Sequence, residues 1–488
     1  ALAFIAAPAQ AQEAPVTDCD RLAANPYDPL RVTEGVAFEL VDPEAAIRAC
    51  EAAAKLYTDS PRLKFQLGRS YAIGEDFAAA LTWYRLAAEQ EYAAAQASLG
   101  VMYENGQGVA RNYAEAQRFY RLAAEQEHIA AQYNLGVMYA NGLGVPQDHA
   151  QAVKWYRLAA EQGDADAQNN LGVMYESGLG VAQDHAEAAR FYRLAAEQGN
   201  AVAQNNLGLL YDNGLGVEQD HAKAEKWYRM AAGQGYSVAQ YNLGVMFENG
   251  RGVAQEYVEA VTWYRLAAEQ GDPQAQFNLG VSYDAGLGVP QDDAEALRWY
   301  RLSAEQGYAD AQTNLGTMYA IGQGVAQDYA EAVKWYRLAA EQGHVMAQSN
   351  LGAMYHSGLG VEQDYAEAAK WHRLAAEQGN ATAQNNLGAL YQKGHSVGQD
   401  DAVAVNWYRL AAQQGHTLAQ LNLGIMYANG QGVGRDAVEA LKWFILAADA
   451  GDETAGELRD GLVRDMSPLE AGRARKRARE WTDQRKAQ

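Results

Sequence analysis

Between residues 128 and 163 the apolar positions fall into two helical stripes. Ala131, Leu135, Met138 and Tyr139 recur at i, i+4, i+7 and i+8, which predicts an amphipathic first helix. Asn141-Gly-Leu-Gly-Val-Pro146 ends it, because Gly142 can take the left-handed position beyond a helix end and Pro146 cannot continue a helix. Asp148 then predicts an N-cap for a second helix whose stripe is Ala152, Trp155, Tyr156, Ala159 and Ala160. At the equivalent Asp184, Asp328 and Asp364 a Glu follows three residues later, a capping-box-like arrangement. Glu161-Gln-Gly163 closes the unit, and Asp164 can cap the next.

This unit repeats along the chain. Leu-Gly stands at 67/68, at 99/100, and then every 36 residues to 423/424. A Trp or Phe keeps the same step from Trp83 to Trp443 and uses nine of the ten tryptophans. A fixed period over eleven units predicts a solenoid, in which each unit buries its apolar faces against its neighbours. Gly136 recurs inside the first helix although a helical glycine costs about 1 kcal/mol relative to Ala. The recurrence predicts close approach of the paired helix there, with the Trp155 ring filling the space beside it.

The pattern A-x-A-Q-x-N-L-G-x-M-Y-x-x-G-x-G-V-x-Q-D-x-A-x-A-x-x-W-Y-R-L-A-A-E-Q-G resembles the Sel-one-like repeat family, relatives of the tetratricopeptide repeats, over about residues 61 to 450. The resemblance implies an all-α protein: an α/α superhelix, a right-handed solenoid of eleven two-helix repeats of about 36 residues with helical caps at both ends. It also implies a scaffold or adaptor for protein complexes. Bacterial members are often exported, as envelope regulators or host-interaction factors. Cysteine-rich relatives, linked to binding or hydrolysing β-lactams, carry a disulfide in each repeat; no repeat of this chain contains a cysteine.

The ends read differently. Residues 1–12 look like the remnant of a signal peptide, a short apolar run closing on Ala9-Gln10-Ala11. Residues 13–60 form an N-terminal capping segment, with Asp42 and Pro43 opening a helix to about Leu56 and Ser60-Pro61 starting the first repeat. Cys19 and Cys50 both lie in it. An oxidising compartment could join them, contributing about 3 to 4 kcal/mol in the chain-entropy model, and two buried thiols are the alternative. Residues 61–450 hold the repeats. Residues 451–488 form C-terminal capping helices, the last opened by the capping box Ser467-Pro-Leu-Glu470 and carrying a basic run from Arg473 to Arg479. Most such runs are solvated faces; docking onto the acidic repeats, in cis or in another copy, is the alternative.

Composition narrows the partners. With 39 Lys and Arg against 61 Asp and Glu, a net charge of −22, the surface repels nucleic acid and anionic membranes. No stretch of 18 apolar residues predicts a membrane span. Two cysteines exclude a multi-cysteine metal array. No H-E-x-x-H or P-loop is present, and the Gly142/Gly144 loop follows no strand. His149, His185 and His221 share one position in successive units, about 10 Å apart when units stack, too far for one metal ion. His344, His356 and His372 show no ligand spacing. The reading is therefore of no catalytic residue, no metal and no cofactor.

Residues that recur in every unit serve the scaffold, so a binding site must use positions that break the repeat. Two before the repeated Leu the residue varies: Ala97, Tyr133, Asn169, Asn205, Tyr241, Phe277, Thr313, Ser349, Asn385, Leu421. Alignment with the tetratricopeptide family places this position on the exposed concave face. The position after the repeated Tyr runs Glu104, Ala140, Glu176, Asp212, Glu248 and Asp284, acidic in the first half but for Ala140, and then Ala320, His356, Gln392 and Ala428. Tyr133, Asn169, Asn205, Tyr241 and Phe277 with these carboxylates suit an extended protein or peptide with basic side chains. The expected function is a non-catalytic protein-binding scaffold of the bacterial envelope, periplasmic or secreted. A periplasmic regulator of a membrane signalling protein and an envelope enzyme acting on cell-wall or β-lactam substrates are the alternatives. Oligomeric state is not encoded legibly.

Overall fold

A computed structural model describes residues 14–395 and 398–486; the expected signal-peptide remnant at 1–12 lies outside them. Among the described residues every regular element is helical. The chain forms two compact units, one of residues up to 239 with 251–253, the other of 240–250 with the residues from 254 onward.

The first unit begins with helices Asp18–Ala23 and Pro43–Leu56, joined by a Cys19–Cys50 disulfide with an S–S distance of 2.02 Å. Thr17 caps the first of them in a capping box, and Asp42 caps the second with Pro43 at N1. Arg62 reaches back from the first repeat to the fully buried Asp20 at 2.5 Å and also donates to the Ala14 carbonyl at 2.7 Å. Such a buried pair is costly to break from one side, because the remaining charge has no solvent.

Each repeat is then a helix pair. In 129–161 the first helix, Ile129–Asn141, is capped by the His128 ring and stops at Gly142 with φ 70°. The second, His149–Glu161, starts on the Asp148 carboxylate, which accepts from the Gln151 N–H. Leu135 and Ala152 are fully buried between them. The glycine inside the first helix is explained by a different ring from the expected one: a Cβ on Gly136 would stand 2.6 Å from Cδ1 of Tyr156, not against Trp155. Tyr192 covers Gly172 in the same way at 2.6 Å.

Repeats are joined by amides. Gln162 Nε2 donates to Gln132 Oε1 across its own helix pair at 2.8 Å, and Gln132 Nε2 donates in turn to the Ala124 carbonyl of the preceding repeat at 3.2 Å. Gln126 to Gln96 and Gln198 to Gln168 repeat the first bond at 2.7 Å. The loop joining the two helices is a second seam. Gly180, at φ 70°, rests on the start of the preceding repeat's second helix, where a Cβ would come within 2.3 Å of the His149 carbonyl.

The second unit keeps the same devices, with Gln306 to Gln276 and Gln342 to Gln312 at 2.8 Å. It ends in helices Glu453–Asp465 and Pro468–Lys486, beyond the last repeat helix Ala437–Asp449. Part of the basic run is docked in cis: Arg477 pairs with Glu439 at 2.5 Å, and Trp481 meets Trp443 edge-on at 6.3 Å. Among the described residues no helix is long and apolar enough to cross a membrane.

Candidate partner-binding surface

The varied position two before the repeated Leu is not open. Asn169 and Asn205 are 8% and 2% exposed, and Ala97, Thr313, Ser349, Asn385 and Leu421 are likewise buried. Tyr133, Tyr241 and Phe277 are half-buried, their rings 6.0, 6.0 and 5.8 Å from those of Tyr156, Tyr264 and Tyr300. The expectation of an exposed concave face at this column is corrected. The column turns toward the second helix and the adjoining repeat, where Asn206 Nδ2 donates to Asn169 Oδ1 at 3.2 Å and Asn422 Nδ2 to Asn385 Oδ1 at 3.0 Å. Its variety reflects how each junction is packed.

The acidic column is half-buried and held from within. In the first unit the Tyr120 hydroxyl donates to Glu104 at 2.6 Å and the Tyr192 hydroxyl to Glu176 at 2.5 Å. Burial first, and the carboxylate second, push both phenols well above their ordinary range, so each remains a donor at any ordinary pH. Asp212 instead takes a bond with His221 Nδ1 at 2.7 Å and an ion pair with Arg251 at 3.7 Å.

In the second unit Tyr264 donates to Glu248 at 2.6 Å and Tyr300 approaches Asp284 at 3.3 Å. Gln323 Nε2 bridges Asp284 and Asp293 at 2.7 and 3.0 Å. The later repeats change the acceptor: Tyr408 donates to Gln392 at 2.8 Å, and the Tyr336 hydroxyl lies 3.0 Å from Thr317, beside Ala320. His356 and His372 replace acid and tyrosine together, as do Ala428 and Phe444.

The sequence reading missed three positions that complete this surface. One is the tyrosine of the second helix, 16 residues after the acid. The others are the first residue of that helix, such as His221 or Asp293, and the loop residue of the next repeat, such as Arg251 or Gln323. The available signal lay in comparing columns across repeats: at His356 with His372 and at Ala428 with Phe444 the acid and the tyrosine are lost together, although Ala140 and Ala320 keep their tyrosines.

The repeat geometry also identifies the chain. The Sel1 repeat family matches eleven times in succession, at 65–92, 93–128, 129–164, 165–200, 201–236, 237–272, 273–308, 309–344, 345–380, 381–416 and 417–452. The chain belongs to the Sel1 repeat family. It is similar to the crystal structure of a protective antigen of uropathogenic Escherichia coli displaying an SLR fold, with 39% identity and a TM-score of 0.77, covering 90% of this chain and 94% of that one. A Sel1 repeat protein from Oxalobacter formigenes is similar at 39% identity and a TM-score of 0.50, covering 63% of this chain and 90% of that one. Among curated proteins no match was found.

Among the described residues no group of three His, Cys, Asp or Glu side chains is placed to hold a metal. The expectation from sequence that no G-x-S-x-G is present is corrected: Gly394-His-Ser-Val-Gly398 has the letters of that nucleophile elbow. It follows a helix, Ala381–Lys393, where the elbow requires a strand, and Ser396 lies outside the described residues.

Proposed function

We propose that this Sel1-repeat protein is a non-catalytic scaffold or adaptor of the bacterial envelope that binds a protein or peptide with basic side chains. Sel1-repeat scaffolds typically mediate protein–protein interaction. The observation that carries the charge preference is the set of Glu104, Glu176 and Asp212 in the first unit and Glu248 and Asp284 in the second. Each is fixed by a neighbour of its own chain, and a tyrosine bond to one carboxylate oxygen leaves lone pairs for a partner. A pre-fixed acceptor loses little rotamer freedom on binding, so its interaction with Lys or Arg is not offset by ordering. Tyr133, Tyr241 and Phe277 contribute the part of each ring left uncovered, while Asn169 and Asn205 shape the backing.

An extracytoplasmic location is supported by the Cys19–Cys50 disulfide, which persists in oxidising compartments, and by similarity to a bacterial protective antigen. The test uses a partner captured by in-cell crosslinking. Glu104→Gln, Glu176→Gln and Glu248→Gln together keep the tyrosine bonds, as Gln392 does for Tyr408, and remove the charges. Affinity should fall about tenfold or more and its salt dependence should flatten. Unchanged affinity with unchanged salt dependence would refute the acidic surface.

A further inference from the structure

Five of the nine histidines fall between 344 and 416, and three of them meet in one place. His372 occupies the position that is tyrosine or phenylalanine in the other ten repeats, over Gly352, where a Cβ would stand 2.7 Å from its Nδ1. It is 0% exposed, and neither ring nitrogen has a hydrogen-bond partner. His356, on helix Val345–Ser357, sits edge-on to the Tyr365 ring at 5.3 Å, and His395 lies 4.6 Å from the same ring. The Nδ1 atoms of His356 and His395 are buried and likewise without a partner. Where most other repeats place a hydroxyl and a carboxylate, this one places imidazoles, of which His372 has no partner on either nitrogen.

Apart from the Tyr365 phenol, the titratable groups acting on His356 and His372 are cationic when charged. His356, from helix Val345–Ser357, acts on His372, which lies on helix Tyr365–Glu377. Lys393, at the end of helix Ala381–Lys393, and His395 beyond it act on His356. No carboxylate is among the groups acting on either ring.

We propose that the repeat at 345–380 is an acid-sensitive joint, in which proton uptake by His356 and His372 loosens helix Tyr365–Glu377 from helix Val345–Ser357. The cause is that a proton on His372 has neither water nor an acceptor, and a second on His356 repels it. Opening the helix pair exposes both rings to solvent and removes that penalty. Burial, and then His356, bring the His372 imidazole down to about 4 from its ordinary 6.5. Below pH 6.5 the opened form therefore takes up the proton first, and by pH 5.5 opening becomes about tenfold easier.

Hydrogen exchange of the whole protein, followed by mass spectrometry and corrected for intrinsic rates, reads this locally. Between pH 7.5 and 5.5 protection in 345–377 should fall about tenfold more than in 309–341, where Tyr336 and Thr317 fill the same site. The double variant His356→Gln, His372→Tyr reproduces the Gln392–Tyr408 pair of the next repeat and should abolish the difference. Equal losses in the two segments, or a difference that survives in the double variant, would overturn the proposal. The His372 Cε1 resonance offers a readout without mutation: it should hold its neutral position to pH 5.5, and titration near 6.5 refutes the joint.

Discussion

The Tyr192 hydroxyl donates to Glu176 at 2.5 Å, linking the second helix of a repeat to the end of its first. Where the acid is absent the tyrosine can be lost with it or its phenol can take another partner. Phe444 accompanies Ala428, and Tyr336 turns to Thr317 beside Ala320. The bond is thus a packing device that also fixes the orientation of a surface carboxylate.

Replacing Tyr192 by Phe should cost about 1 to 3 kcal/mol, because a half-buried carboxylate loses its donor. Tyr156→Phe, whose repeat has Ala140 at the acid position, should cost less. Urea midpoints of the two variants, measured side by side at pH 7.5, check the ordering.

Glycine to alanine should have opposite signs at two helical positions. Gly172→Ala drives a methyl into the Tyr192 ring at 2.6 Å, and it should destabilise by about 1 to 3 kcal/mol despite the better helix propensity. Gly233 ends helix His221–Gly233 with nothing within 4 Å of its missing Cβ. There alanine should stabilise by up to about 0.5 kcal/mol. Thermal unfolding of both variants decides it.

Almost all of the repeat period and local structure of this fold was legible in the sequence. The 36-residue period, the Asp148-type caps and the Gly142-type stops follow from local chemistry, and the helices begin and end on them. Side-chain facing was not legible. Trp155 and Tyr156 are adjacent aromatics 100° apart on the helix, and only the crossing of the paired helices decides that Tyr156 covers Gly136. The same uncertainty of phase put Asn205 on an open face in sequence and at a buried junction in the structure. The acid column was legible by charge, but its tyrosine donors lie 16 residues away and emerge only once the helices pair.

Reducing the Cys19–Cys50 bridge should destabilise the N-terminal segment by about 3 to 4 kcal/mol in the chain-entropy model for a separation of 31 residues. Limited proteolysis with and without reductant should show new cleavage between 14 and 60, with the fragments of the repeats unchanged.

Two histidine caps should make stability fall in acid. His128 and His416 accept the Ala131 and Ala419 N–H groups at 3.3 and 3.2 Å through Nδ1, and burial lowers both below the ordinary 6.5. The unfolded chain therefore takes up the proton first. Each cap's contribution is complete above pH 6.5 and is lost as pH falls below it. Replacement by Asn, the capping residue at Asn200 and Asn380, should flatten the drop in urea midpoint between pH 7.5 and 5.5. A drop of the same size in both variants would rule out the caps as its source.

The seat of Gly180 on the His149 carbonyl sets how such a chain can lengthen. One residue added between His149 and Gly180 would move that glycine off its backbone contact and put a side chain in its place. Duplicating or deleting 36 codons at once leaves every such contact in place, so a chain of this kind changes length at least cost by trading whole modules.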